Sequence, residues 1–436
     1  MDKRKRRVRA VELGKDVLIV LLICSALWLL TRSQLFQARG TEDHQINLVQ
    51  TQSGARADAA RPLRITANLE GSAEDIRYGV QYDADASDAL FQRVAGLLVE
   101  VLSSAGEAER ITRSQWEKAL LTAPGVSFDF QGEMPLSVLA GWLSGEESSI
   151  DGVVRRLTLT VWQEKVALCY RDEEDGVYYR RLSEVANEAH LVEALSGLED
   201  TGARYAFESE LTRDLDRDTL VMTADLRPAV YRADNPMAGG RAALEALMGD
   251  LGFSVDASSF YSSGDEQVAR SGNDSIRLSE RGVAEYQAGE DSDHFQIPAR
   301  LDEPSLFESV EACRQLAAAT LGARSGQARL YLMSARETGA GLEVRFGYCL
   351  NGSVVRLEQD CAARFLVRGG RIDQFELCFR SYTDSGEPSV VLPIRQVAAA
   401  MNAMGLEGEE LLLVYQDTGG EMVTASWAAA SASEKR

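Results

Sequence analysis

The sequence predicts an α+β protein: one N-terminal transmembrane helix, then a multi-domain extracytoplasmic region of mainly antiparallel sheets, each covered by helices on one face. Three observations predict it. Fourteen uncharged residues, Val17 to Leu30, follow a strongly basic start. The rest of the chain is acidic, and it interleaves amphipathic helical patterns with hairpin-like alternating runs.

Before Val17 stand seven Lys/Arg (Lys3, Arg4, Lys5, Arg6, Arg7, Arg9, Lys15) against three acids. The apolar run is short for a bilayer core of about 30 Å, but Lys15, Asp16 and Arg32 can snorkel and residues 33–36 can extend the helix. A cleaved signal peptide would need small residues three apart just beyond the run. Residues 31–38 (TRSQLFQA) offer no good pair, so the reading is an uncleaved anchor over 17–31. Residues 1–16 form a cytoplasmic tail and the C-terminal bulk lies outside. Within the span, Cys24, Ser25 and Ala26 put three small residues at mid-depth, where close helix approach in lipid is possible, and they are the candidate partner-binding residues.

The whole chain carries 46 basic and 67 acidic side chains, net −21, so without its +4 start the remainder stands at −25. Such acidity argues against nucleic acid as a partner. Five cysteines lie outside the span, at 169, 313, 349, 361 and 378, in apolar contexts without zinc spacing. These contexts favour reduced core thiols, and a Cys349–Cys361 or Cys361–Cys378 bridge stays open.

Residues 32–60 are polar and aperiodic, a juxtamembrane linker. The first domain, 61–203, opens with alternating Leu63, Ile65, Ala67 and Leu69. Ser87 is expected to cap a helix burying Leu90, Phe91, Val94, Leu97, Leu98, Val101 and Leu102. Ser114 and Glu117 have capping-box spacing. Val126–Phe130 alternates as a strand, and Pro135 opens a helix with Leu136, Leu139 and Leu143. Residues 157–161 and 166–170 form a hairpin about Gln163-Glu164-Lys165, and Val177-Tyr178-Tyr179 precede a helix near 183–197. The middle domain, 204–300, starts with strand signals in YAFESE and TLVMTADL. A helix follows Gly239-Gly240 with Leu244, Leu247, Met248 and Leu251, ending at Gly252, and a hairpin spans 275–286.

The last domain, 301–430, begins at Pro304 with the Ser305-x-x-Glu308 box of another helix. It turns β-rich from Arg329, with tight turns at Asn351-Gly352 and Gly369-Gly370. Pro393 opens a final helix, and a hairpin closes at Trp427. Residues 431–436 are a polar tail.

Chemistry is harder to find. There is no G-x-S-x-G, H-E-x-x-H, Walker A or dinucleotide fingerprint. His190 fits an amphipathic helix face. His294 follows Glu290, Asp291 and Asp293, which lack the glycine and spacing of a calcium loop and read as a solvated turn. Gly239-Gly240 lacks the Lys-Ser/Thr of a phosphate loop. The sequence therefore supplies no catalytic, cofactor-binding or metal residues, and it predicts a non-enzymatic protein.

The order of motifs nonetheless resembles a known family. SFDFQGEMPLSVL (127–139), ALEALMGDLGF (243–253), SIRLSERGVAEY (275–286), FGYCLNGSVVRL (346–357), GGRI (369–372), PIRQVAAAMNAMG (393–405) and the closing hairpin are similar in order and spacing to the YycH/YycI proteins of Gram-positive bacteria, with three units favouring the H-like branch. The resemblance implies a single-pass cell-membrane protein that modulates the sensor histidine kinase of a two-component system for cell-wall homeostasis. Its implied contacts are with the kinase, partly between membrane helices, and with a second protein of the YycH/YycI type. The competing expectation is an extracytoplasmic envelope enzyme or cell-wall carbohydrate-binding protein of the same topology.

Overall fold

The computed structural model describes residues 53–71, 76–222 and 226–430. The predicted tail, anchor and most of the linker lie outside them. Among the described residues no helix is long and apolar enough to cross a membrane.

The first sheet has seven strands, all paired antiparallel, in the order Ile76–Gln81, Arg64–Leu69, Gly125–Pro135, Val153–Trp162, Lys165–Asp172, Tyr178–Asn187, Glu109–Ile111. Its hairpin at Gln163 and Glu164 has φ of 52° and 68°, the left-handed pair of a tight two-residue turn. Strand Lys165–Asp172 is apolar on both sides. Val166, Leu168 and Tyr170 join the core with helix Ala84–Ser104, while Ala167 and Cys169 pack with Trp116 and Leu120 of helix Arg113–Leu121. One-sided covering was the expectation. This sheet is instead covered on both faces, because a run of consecutive apolar residues must be buried on both sides of a pleat.

Two helix starts differ from the sequence reading. Asp83, not Ser87, caps helix Ala84–Ser104, and Ser87 lies buried within it, donating to the Pro62 carbonyl. The capping box of Arg113–Leu121 is Thr112 with Gln115, because Glu117 is drawn off by Arg113 and Arg217. Two registers of the same spacing competed, and charge decided between them.

The second sheet has eleven strands. Its path runs Ser259–Ser263, Glu266–Ser271, Asp274–Ser279, Val283–Gln287, Arg371–Cys378, Ala363–Arg368, Gly341–Leu350, Ser353–Leu357, Glu410–Asp417, Ala425–Ala430, and Arg329–Thr338 pairs off the path with Gly341–Leu350. One pair, Ser353–Leu357 with Glu410–Asp417, is parallel. A three-stranded sheet joins Ser381–Pro388, Ala229–Asp234 and Met422–Val423. The first two strands of the large sheet escaped the sequence reading because they are rich in serine and charge, with their turns at Gly264 and Gly272 at φ 64° and 62°. YAFESE yields only the short strand Arg204–Tyr205 and a tight helical turn, Ala206–Glu208, since Glu208 folds back onto the Tyr205 amide. The Ser305–Glu308 box of helix Leu306–Thr320 and the Asn351-Gly352 turn stand where the sequence puts them.

One apolar core runs through both large sheets, from Ile65 and Phe128 to Phe346 and Phe375. The seam between them is tight. A Cβ on Gly132 would lie 1.9 Å from the Leu332 carbonyl oxygen, and one on Gly141 would lie 2.5 Å from the Phe307 ring. Glu133 takes a forked pair from Arg336 at 2.7 and 2.5 Å, and Asp88 pairs with Arg329 at 2.6 Å. Asn351, held at φ 47° in its turn, accepts from the Ala84 amide and donates to the Tyr82 carbonyl.

Candidate functional site

The seam holds a concentration of buried charge. Register places Asp129 opposite Arg64 on one neighbouring strand and opposite Arg156 on the other, a cation–anion–cation row on one face of the first sheet. Beyond Asp129 the strand bulges before Met134, with Gln131 at φ 65° and its amide donating to Asp129 Oδ1 at 2.8 Å. Arg155 joins the row, its Nε 3.5 Å from Asp129 Oδ1. Into this face the second sheet sends Glu410, the first residue of strand Glu410–Asp417. Its carboxylate accepts from Arg64 Nη1 at 3.2 Å, from Arg155 Nη2 within 2.7 Å and from Arg156 Nη2.

Arg64, Asp129, Arg155 and Glu410 are all buried. Burial pushes both carboxyls toward the neutral acid, and the fields of Arg155, Arg156 and Arg64 outweigh it. Glu410 ends at about 2 and Asp129 lower still. Both stay ionised, so three cations meet two anions, with half-exposed Asp216 3.4 Å from Arg156 Nη1.

A cleft of about 370 Å³ opens from this cluster, lined by Arg113, Trp116, Arg171, Glu173, Tyr178 and Asp218 among others. Its charges are committed to one another: Arg113 to Glu117 and Asp218 at 3.1 and 3.3 Å, Arg171 to Glu173 at 3.0 Å. Trp116 Nε1 donates to Asp218, whose carboxyl burial raises despite Arg156 and Arg113. A second buried knot ties three helices at Glu311, which accepts from Arg56 Nε (2.9 Å), Trp142 Nε1 (2.9 Å), Arg314 (2.7 Å) and Gln315 (2.8 Å). The geometry of both knots is that of locks: every carboxylate is saturated by donors that hold elements together, which leaves it poorly placed to accept a proton from a substrate.

No protein-family model and no curated protein matches this chain. A solved structure does. The crystal structure of YycH from Bacillus subtilis aligns with a TM-score of 0.51, covering 87% of this chain and 95% of that chain at 10% sequence identity. The chain has the YycH fold. That coverage takes in more than either sheet alone, so the likeness is to the assembly of the two sheets about their seam.

Against this YycH-like frame the predicted site residues can be placed. Cys24, Ser25 and Ala26 lie outside the described residues. His294 is a packing residue: its ring stacks on Phe253 with centroids 3.7 Å apart and its Nε2 is 2.8 Å from the Leu251 carbonyl oxygen. His190 is half-exposed on helix Glu188–Leu195, 3.5 Å from Glu100. Among the described residues no three of His, Cys, Asp and Glu are grouped to hold a metal. The five cysteines are free and buried, and burial pushes the thiols of Cys169, Cys349 and Cys378 up to about 12, which makes them unreactive.

The arginine cluster was not read from the sequence. Its one local signal is Arg155-Arg156, a charged doublet inside an otherwise apolar strand. The counter-charge at Glu410 is 255 residues away from Arg155 in the chain.

Proposed function

We propose that this protein is a non-enzymatic, membrane-anchored extracytoplasmic regulator of a two-component sensor histidine kinase in envelope homeostasis. The YycH fold spanning both sheets carries this reading. The basic start and apolar run support a single-pass anchor with its N-terminus in the cytoplasm, and the saturated charge knots support a scaffold. Contact with the kinase is through membrane helices at Cys24, Ser25 and Ala26 and through the ectodomain, with a second YycH/YycI-type protein as co-partner. The domains of this reading are 61–203, 204–300 and 301–430.

The test is affinity capture of the full chain from membranes with the anchor intact, alongside a version in which residues 17–31 are replaced by an unrelated span. Recovery of a sensor kinase with the native chain, and a change in that kinase's output when the chain is deleted, is the expected result. A chain that recovers no kinase and whose deletion leaves kinase output unchanged overturns it.

A further inference from the structure

We infer that the strap Pro388–Pro393 and the groove beside it form a docking surface for a second copy of this chain. The strap links strand Ser381–Pro388 to helix Ile394–Ala403 and alternates its residues. The Ser389 amide donates to the Pro228 carbonyl at 2.6 Å, and the Leu392 carbonyl accepts from Trp427 Nε1 at 2.8 Å. Pinned at both positions and bounded by prolines, it holds Val390 97% exposed and Leu392 57% exposed. Two large apolar side chains fixed outward are knobs that lose little conformational entropy on binding.

The matching hole is adjacent. A groove of about 370 Å³ lies between the strap and Met222, Leu226, Gln81 and Trp427. Its flanks carry both signs of charge. Arg227 and Arg395 are exposed and make no ion pair among the described residues, although the chain has 67 acidic side chains to offer; Asp384 and Glu387, just before the strap, are likewise unpaired there.

Knobs, a hole, and cations and anions without ion-pair partners among the described residues are, on one patch, what a self-complementary two-fold contact needs, since each copy must present both halves of every interaction. Val390 of one copy then enters the groove of its mate, and Arg227 and Arg395 of one face Asp384 and Glu387 of the other. An anionic bilayer would leave those two acids facing like charge. The strap is short, so the contact falls at or below the low end of stable interfaces, about 1,200 Å² in total, and association is concentration-dependent.

The test uses the full chain in detergent or membranes, in a Cys24→Ser background. Val390→Cys is compared with Leu301→Cys, which is 84% exposed and elsewhere on the surface. Under mild oxidation the V390C chain is expected to give a disulfide-linked homodimer at least fivefold more abundant than L301C gives. By sedimentation, Val390→Asp with Leu392→Asp weakens self-association at least tenfold while leaving the melting temperature unchanged. Equal cross-linking at the two positions, or self-association indifferent to the double substitution, overturns the inference. So does a V390C adduct formed only with a different protein. A fluorophore at residue 390 that reports an apolar environment in nanodiscs holding a single chain assigns the patch to lipid and also overturns it.

Discussion

Replacing Glu410 with Gln keeps the side chain's shape and removes one of two buried negative charges facing Arg64, Arg155 and Arg156. Two independent routes give the size of the effect. Breaking a buried charge pair by deleting one partner costs about 3–5 kcal/mol. Holding the Glu410 carboxyl at about 2, against an ordinary value near 4.5, corresponds to about 3 kcal/mol of preference for the ionised form in the folded state. With an unfolding entropy of roughly 2 cal/mol/K per residue over the compact unit Ile46–Arg436, roughly 390 residues melting together, about 4 kcal/mol lowers the midpoint by about 5 °C. The control is Arg241→Ala, which removes an exposed i,i+4 pair with Glu245 and should cost under about 0.5 kcal/mol, well below 1 °C. Differential scanning calorimetry of both variants beside the parent decides the matter. An E410Q midpoint no lower than that of R241A would show that the cluster contributes nothing net and would refute the reasoning.

Other outcomes follow from the same geometry. Because the folded values of Glu410 and Asp129 lie below their unfolded values, the stabilisation is complete above about pH 5 and is lost as pH falls toward 2; acid titration of the parent should show a loss of stability in that window that is smaller in E410Q. Gly132→Ala drives a methyl into the Leu332 carbonyl, so it should cost about 3 kcal/mol by denaturant titration, while Gly369→Ala, which meets nothing within 4 Å but sits at φ 58°, should cost nearer 1 kcal/mol. Iodoacetamide should leave Cys169, Cys313, Cys349, Cys361 and Cys378 unmodified in the native protein and label them all in denaturant, as mass spectrometry of the peptides would show. On the proposed function, Ser25→Leu with Ala26→Leu should preserve membrane insertion yet weaken kinase capture and shift kinase output. Unchanged capture and output would reduce residues 17–31 to an anchor.

Local signals were legible where one residue type settles the backbone. Asn351-Gly352, Ser305 with Glu308, and Pro135 each dictate a turn or helix start within four residues, and each does so here. Where two local solutions compete, a distant partner chooses: Thr112 rather than Ser114 caps its helix because Arg217, a hundred residues on, holds Glu117. The arginine cluster lies at the far end of that scale. Arg64 begins a strand as a surface arginine would, and its burial is compensated by Asp129, 65 residues on, together with Glu410, 346 residues on. No periodicity encodes such a meeting. The same holds for Gly132, which reads as a loop glycine until the Leu332 backbone is seen against it.

The chain position of Glu410 has a consequence in time. As the polypeptide is made from its N-terminus, the strands bearing Arg64, Asp129, Arg155 and Arg156 emerge early, and until residue 410 follows, three guanidinium groups have only Asp129 and the half-exposed Asp216 as counter-charges at that face. The first sheet should therefore keep this face hydrated until strand Glu410–Asp417 is delivered. A chain interrupted before residue 410 should be cleaved by added protease faster than one that carries Glu410, even though every strand of its first sheet is present. Strand Glu410–Asp417 thus acts as a late check on the first sheet, and resistance to proteolysis is the property in which its loss would first be felt.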